Sequence, residues 1–161
     1  MIFDIFGVLA SYGYIGIFLI SLIGSSTIIF PIPSAAFVFA TGAILNPFLI
    51  GLVSGIGSAI GESTGYALGL GGRKVIKRKW KKTFEKTEKL FQKYGGFFVI
   101  LLFAGTPLPD DITGVVAGIL RYPLKKFFVA CLIGKVILHM ILAYAGLYSM
   151  KWVLDVLASG F

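Results

Sequence analysis

Apolar runs of two lengths alternate along this chain, and proline marks where the short ones turn. Residues 48–70 and 124–148 are near-continuous runs of 23 and 25 residues. At about 1.5 Å per residue as helix, each is long enough to cross a hydrocarbon core of about 30 Å. The runs before them are shorter. Residues 95–106 number twelve and would reach only about 18 Å as helix. The stretch "GTPLPDDITG" (105–114) then places Pro107, Pro109, Asp110 and Asp111 between two greasy segments. Pro107 and Pro109 remove backbone donors and disfavour a continuing helix. A straight span would put both aspartates near its centre, at about 2.5–3.5 kcal/mol each. The pattern predicts a re-entrant hairpin instead, entering from one face, turning at Pro-Leu-Pro and leaving by the same face. Such a turn survives at depth only when protein or a wet cavity surrounds it.

The first half of the chain repeats this layout. "PIPSAAFVFATGAILNP" (31–47) aligns without a gap on "PLPDDITGVVAGILRYP" (107–123), so that Pro31, Pro33, Gly42 and Pro47 match Pro107, Pro109, Gly118 and Pro123 at a constant offset of 76. "YG" at 12–13 recurs at 94–95. Order and spacing point to an internal duplication. A hairpin plus one crossing is an odd number of crossings, so the second copy is inverted relative to the first. The expected architecture is an all-α integral membrane protein and a single membrane domain over 1–161. Repeat 1 covers 12–72, with a hairpin at about 14–45 and a span at about 48–70. Repeat 2 covers 94–148, with a hairpin at about 95–120 and a span at about 124–148. A basic linker helix occupies 73–93 and a tail 149–161. Residues 2–24 could form a complete further span, which would reverse the side of the termini. Inverted repeats whose broken helices meet near the midplane belong to transporters.

Composition agrees. The chain of 161 residues is 57% apolar with 21 glycines, and its mean hydropathy is +0.93, which points to lipid as solvent. "MIFDIFGVLA" has no Lys or Arg and no cleavage-site pattern, so it reads as a mature segment and not a signal peptide. The single cysteine excludes an internal disulfide.

Charge sets the orientation. Residues 73–93 hold ten of the 15 Lys+Arg and two of the seven Asp+Glu. A basic stretch between membrane segments marks the cytoplasmic side, and nucleic acid is not the expected partner. Ile76, Trp80, Phe84 and Phe91 share one helical face among lysines, the pattern of a helix resting on an anionic leaflet. Inversion then places Arg121, Lys125 and Lys126 in the cytoplasm as well, while the matching stretch around Leu45 and Leu49 is uncharged.

Few residues can carry chemistry. Gly57, Gly61, Gly65 and Gly69 recur at i+4, a small-residue stripe for close helix packing. It would meet either a hairpin of the same chain or a second copy, making a homo-oligomer. Glu62 lies beside it, and a carboxylate within a span is a functional candidate by default unless it reaches water at the cytoplasmic end. Asp110 matches Ser34 and is explained as a helix N-cap. Asp111 matches Ala35, so capping does not require it, and it is the stronger candidate. Lys135 and His139 are i,i+4 on the last span. Lys135 needs an acidic partner among Asp110, Asp111 and Glu62, as a structural pair or beside substrate. His139, the one histidine, is either a packing residue or a near-neutral titrator. The sequence has no metal-ligand cluster, nucleotide loop or catalytic elbow, so neither an enzyme nor a cofactor is expected.

"GESTGYALGLGG" (61–72) resembles the G-[DE]-x-x-G-Y-x-x-G-x-x-x-G signature of the DedA superfamily, also called the VTT-domain or SNARE-associated family. The tandem Pro-x-Pro hairpins, each with a downstream glycine, resemble it too, and the likeness covers about residues 12–148. It implies transbilayer movement of a lipid in a cell membrane, without a cofactor. Bacterial relatives return undecaprenyl phosphate to the cytoplasmic leaflet, some with proton dependence, and eukaryotic relatives scramble phospholipids. Glu62 carries over directly. The acidic pair of many bacterial members stands at the first turn and arginines at the second, whereas this chain has Asp110–Asp111 at the second. The expected activity is therefore that of a flippase or scramblase for a polyprenyl phosphate or phospholipid. Glu62, Asp110, Asp111, His139 and Lys135 would serve transport or proton movement. Arg73, Lys74, Arg121, Lys125 and Lys126 would meet the headgroup at the cytoplasmic mouth. The alternatives are a proton- or cation-coupled transporter of a small solute and a membrane scaffold without transport.

Overall fold

The computed structural model describes residues 2–26, 34–79, 81–106 and 111–159, with the backbone alone at 2–11, 72–79, 81, 83, 111, 112 and 159. The hairpin prolines Pro31, Pro33, Pro107 and Pro109, and with them Asp110, lie outside the described residues. Among the described residues every regular element is an α-helix. They are α1 (Ile2–Ser26), α2 (Ser34–Gly42), α3 (Pro47–Lys79), α4 (Lys81–Tyr94), α5 (Gly96–Ala104), α6 (Asp111–Ile119) and α7 (Leu124–Ser159).

Local chemistry sets several of these boundaries. Asn46 Oδ1 accepts hydrogen bonds from the backbone N–H groups of Phe48 and Leu49 at 3.0 and 3.3 Å, and Pro47 takes the first helical position. This side-chain cap followed by a proline starts α3 where the motif places it. At the end of α6, the N–H of Arg121 donates to Gly118 O at 3.0 Å and that of Tyr122 to Ala117 O at 2.8 Å. This is a Schellman closure, and its left-handed position, usually glycine, is held by Arg121 at φ 53°.

Helix lengths separate two classes. The helices α2, α5 and α6 have nine residues each, about 14 Å as helix and half a hydrocarbon core. In contrast, α3 and α7 have 33 and 36 residues. Among the residues described with their side chains, α7 is long and apolar enough to cross a membrane by itself and Tyr12–Ser26 of α1 is a shorter apolar stretch, while glycines, serines and Glu62 dilute the hydropathy of α3. The first arm differs from its counterpart. Helix α1 is continuous over 25 residues, since no proline interrupts 2–26, whereas α5 has nine.

Two boundaries differ from the sequence expectation. In the basic linker 73–93 the first part continues α3 to Lys79, and α4 runs from Lys81 to Tyr94. The apolar face of α4 is spent on protein. Phe84 packs with Val116 and Ile119 of α6, and Phe91 meets the Tyr122 ring edge-on at 5.9 Å. What α4 leaves exposed carries a basic excess, with Lys82, Lys86, Lys89 and Lys93 outward beside Glu85. Residues 149–159 are likewise the end of α7, where no proline or glycine stops the helix.

Packing is reciprocal between the halves. The short α2 lies on α7, and the short α6 lies on α3. A Cβ on Gly42 would strike the Ala143 backbone and one on Gly146 would strike Phe39 O; a Cβ on Gly118 would strike Tyr66 O and one on Gly69 would strike Val115 O. Phe39 and Gly42 are 76 residues before Val115 and Gly118, while Tyr66 and Gly69 are 77 before Ala143 and Gly146. The same relation holds for the entering arms, with Gly57 of α3 against Phe18 O of α1 and Gly134 of α7 against Leu101 O of α5. Helices α3 and α7 cross at glycines, where Gly51 meets Met140 and Gly55 meets Val136. Gly57, Gly61 and Gly69 therefore use their missing side chains within the same chain.

The outer surface is apolar in stripes. Ile15, Leu19 and Ile23 on α1, Phe98 and Leu102 on α5, and Val129, Ile133, Ile137 and Ile141 on α7 are all exposed at i,i+4 spacing. A water-soluble monomer rarely shows so continuous an apolar surface, and lipid accounts for it.

Candidate functional site

Polar side chains gather where α1, α3 and α7 meet. Ser54, Ser58 and Glu62 are one turn apart on α3, and Lys135 and His139 are one turn apart on α7. All five are buried, with Glu62 2%, Lys135 7% and His139 3% exposed. The midpoints of the apolar runs 48–70 and 124–148 are residues 59 and 136, so the cluster sits at mid-length of both runs. It also sits at the centre of the reciprocal packing: Ser58 and Lys135 are counterparts 77 apart, and so are Glu62 and His139.

Lys135 Nζ stands 3.5 Å from Glu62 Oε2. Each charge alone would lose several kcal/mol of hydration here, so the pair answers the question of how a lysine is kept at this depth. Of the three carboxylates expected to serve Lys135, Glu62 is the one observed in place. Glu62 is a mid-helix residue, buried from solvent. The backbone of α6 comes close on the other side, where a Cβ on Gly114 would lie 3.2 Å from Glu62 Oε1.

His139 is held by hydroxyls. Its Nδ1 is 2.9 Å from Ser54 Oγ, and its Nε2 is 3.5 Å from Ser58 Oγ. Ser58 Oγ also lies 3.5 Å from Ser21 O on α1. The Ser21 hydroxyl is fully buried and has no hydrogen-bond partner among the described residues. Ser21, Ser54, Ser58 and Gly114 are absent from the candidates read from sequence. The i,i+4,i+8 spacing of Ser54, Ser58 and Glu62 is the signal that could have found two of them.

The remaining candidates fall in two groups. Asp111 opens α6, but its side chain lies outside the described residues, as Asp110 does altogether. Arg121, Lys125 and Lys126 are exposed where α6 turns into α7. They share an end of the molecule with α4, because Tyr122 receives a hydrogen bond from Tyr66 Oη at 2.5 Å and touches Phe91. Arg73 and Lys74 belong to the last turns of α3, with side chains outside the described residues. Basic residues of α4 and of the α6–α7 turn thus gather at one end. The connection between α2 and α3, around Leu45 and Asn46, is uncharged. Among the described residues no group of three His, Cys, Asp or Glu side chains could hold a metal ion.

The chain is 31% identical over 138 residues to the membrane protein YbfM of Bacillus subtilis, covering 78% of this chain and 83% of that one. It is 27% identical over 130 residues to the protein MJ0201 of Methanocaldococcus jannaschii, covering 80% of each. No solved structure matches. The VTT domain profile matches residues 32–148, a stretch that takes in α2, α6, the 61–72 motif and Ser54, Ser58, Glu62, Lys135 and His139. The chain belongs to the VTT-domain family, also called DedA, and is a membrane protein.

Proposed function

We propose that this chain moves a lipid with a phosphate-bearing headgroup, a polyprenyl phosphate or a phospholipid, between the leaflets of a cell membrane. The observation that carries this reading is the Lys135–Glu62 pair with His139 beside it, buried at mid-length of the two long apolar runs. Intramembrane charges are expensive and mark substrate or ion pathways. The half-length α2, α5 and α6 support a second element of the reading. Each half is a re-entrant hairpin followed by a spanning helix, the two halves are inverted, and the multi-pass chain keeps 73–93 in the cytoplasm. The reciprocal glycine contacts are what an inverted duplication produces.

On this account the headgroup passes the polar centre while its tail stays in lipid. Arg121, Lys125 and Lys126, with Arg73 and Lys74 at the end of α3, collect the phosphate at the cytoplasmic mouth. Asp110 and Asp111 at the second turn, with Glu62 and His139, carry the protons that balance its charge. The test is purified protein in liposomes with a labelled phospholipid or prenyl phosphate. Leaflet exchange above that of protein-free vesicles, lost in Glu62→Gln and Lys135→Met, supports the reading. Exchange unchanged in both variants sinks the site, and no exchange of either lipid sinks the function.

A buried Glu–Lys–His group also describes an ion relay, which favours a second reading, a proton- or cation-coupled transporter of a small solute. Dissipation of a pH gradient by the same liposomes without lipid movement would select it.

A further inference from the structure

We infer that Ser54 and Ser58 are positioning residues for His139, fixing its hydrogen on Nδ1 so that Nε2 alone, facing Ser58 and α1, takes up or releases a proton. The inference deepens the reading above and rests on it for its role in transport, but its chemistry follows from counting hydrogens.

A serine hydroxyl has one hydrogen to give. Ser54 Oγ stands 2.6 Å from Ile50 O, a backbone carbonyl that can only accept. Two oxygens approach so closely only with a hydrogen between them, so the Ser54 hydrogen is committed to Ile50. Towards His139 Nδ1, at 2.9 Å, Ser54 can only accept. Nδ1 therefore carries an N–H whether the ring is neutral or charged, and the neutral ring has its lone pair on Nε2. This assigns the tautomer, which otherwise depends on the partners that each ring nitrogen finds.

Ser58 stands at the other nitrogen. Its Oγ faces two acceptors at the same distance, Ser21 O and the Nε2 lone pair, each at 3.5 Å. With the ring neutral, the Ser58 hydroxyl donates to Nε2. When a proton binds Nε2 and forms an N–H bond, that N–H donates to Ser58 Oγ, and the Ser58 hydroxyl turns its hydrogen to Ser21 O. The hydrogen count is conserved at each step, and the ring's protonation is passed to α1 as the direction of one hydroxyl. Among the described side chains, the charged groups of this cluster are Lys135, one turn earlier on α7, and its partner Glu62 on α3. Towards α1, Ser58 reaches the backbone oxygen of the uncharged Ser21.

The chain has one histidine, which makes the test site-specific. The full-length protein, with any affinity tag removed, is produced with nitrogen-labelled histidine and studied in lipid nanodiscs by nitrogen NMR at alkaline pH. The expected spectrum has a pyrrole-type Nδ1 and a pyridine-type Nε2. In Ser54→Ala the ring loses its Nδ1 acceptor and is expected to move its hydrogen to Nε2, while Ser54→Thr, which keeps the hydroxyl, retains the wild-type pattern. A wild-type spectrum with the hydrogen on Nε2 overturns the assignment, and that spectrum decides even where a variant does not fold. An unchanged tautomer in Ser54→Ala overturns the role of Ser54. Leaflet exchange in Ser54→Ala is expected to fall at least tenfold, and exchange equal to wild type overturns positioning for transport. The tautomer is read without transport, so a wild type that moves no lipid refutes the proposed function and leaves the tautomer assignment standing.

Discussion

Replacing Lys135 by methionine keeps most of the stem and removes the ammonium that stands 3.5 Å from Glu62. At that distance and an effective dielectric constant of about 20, two unit charges attract by about 5 kcal/mol. The carboxylate left behind is 2% exposed, so water cannot take the ammonium's place. Truncating one member of such a pair destabilises by about 3–5 kcal/mol, and Lys135→Met is expected within that range. The double variant Lys135→Met with Glu62→Gln removes both charges and should return to within about 1 kcal/mol of wild type, because a desolvated pair adds little over a neutral replacement. The assay is reversible unfolding in mixed micelles of wild type, both single variants and the double, read as a double-mutant cycle. Lipid exchange by the same four proteins in liposomes separates stability from function, since the double variant should be stable and inactive. A Lys135→Met protein as stable as wild type, or a double variant no more stable than the single, refutes the argument that these charges depend on each other.

Three further outcomes follow from the fold. Arg121 holds a left-handed position at φ 53° at a penalty of about 1–2 kcal/mol, so Arg121→Gly should raise unfolding stability by roughly 1 kcal/mol; if its charge serves the headgroup, the same variant loses lipid exchange. Asn46→Ala removes the acceptor for two backbone N–H groups and should destabilise by about 1 kcal/mol, measured by the same unfolding assay, with lipid exchange retained in the folded fraction. Gly146→Val drives a side chain into Phe39 O and should destabilise by about 1–3 kcal/mol, whereas Gly71→Ala, inside α3 where a Cβ meets nothing within 4 Å, should stabilise by about 0.5–1 kcal/mol, both read by thermal unfolding.

Much of this protein was legible in the chain because hydrophobicity and backbone breakage are local properties. Apolar run length identified lipid as the solvent, Pro47 and Pro123 located the starts of the two long helices, and the Gly and Pro matches at offset 76 pointed to two related halves. The sequence also named Glu62, Lys135 and His139, since a polar group in an apolar run stands out without knowledge of its neighbours. What it could not decide was who meets whom. Lys135 had three candidate carboxylates, and it is the crossing of α3 over α7 at Gly51 and Gly55 that brings Glu62 to it. The apolar face of α4 read as membrane-facing, because an amphipathic pattern reports that a face is buried and not what buries it; α6 does. Ser54 and Ser58 looked like ordinary small residues of a glycine-rich helix until folding put His139 against them. Periodicity along one helix fixes which side chains share a face, but the partner of that face is set by contacts dozens of residues away, and those exist only once the helices have packed.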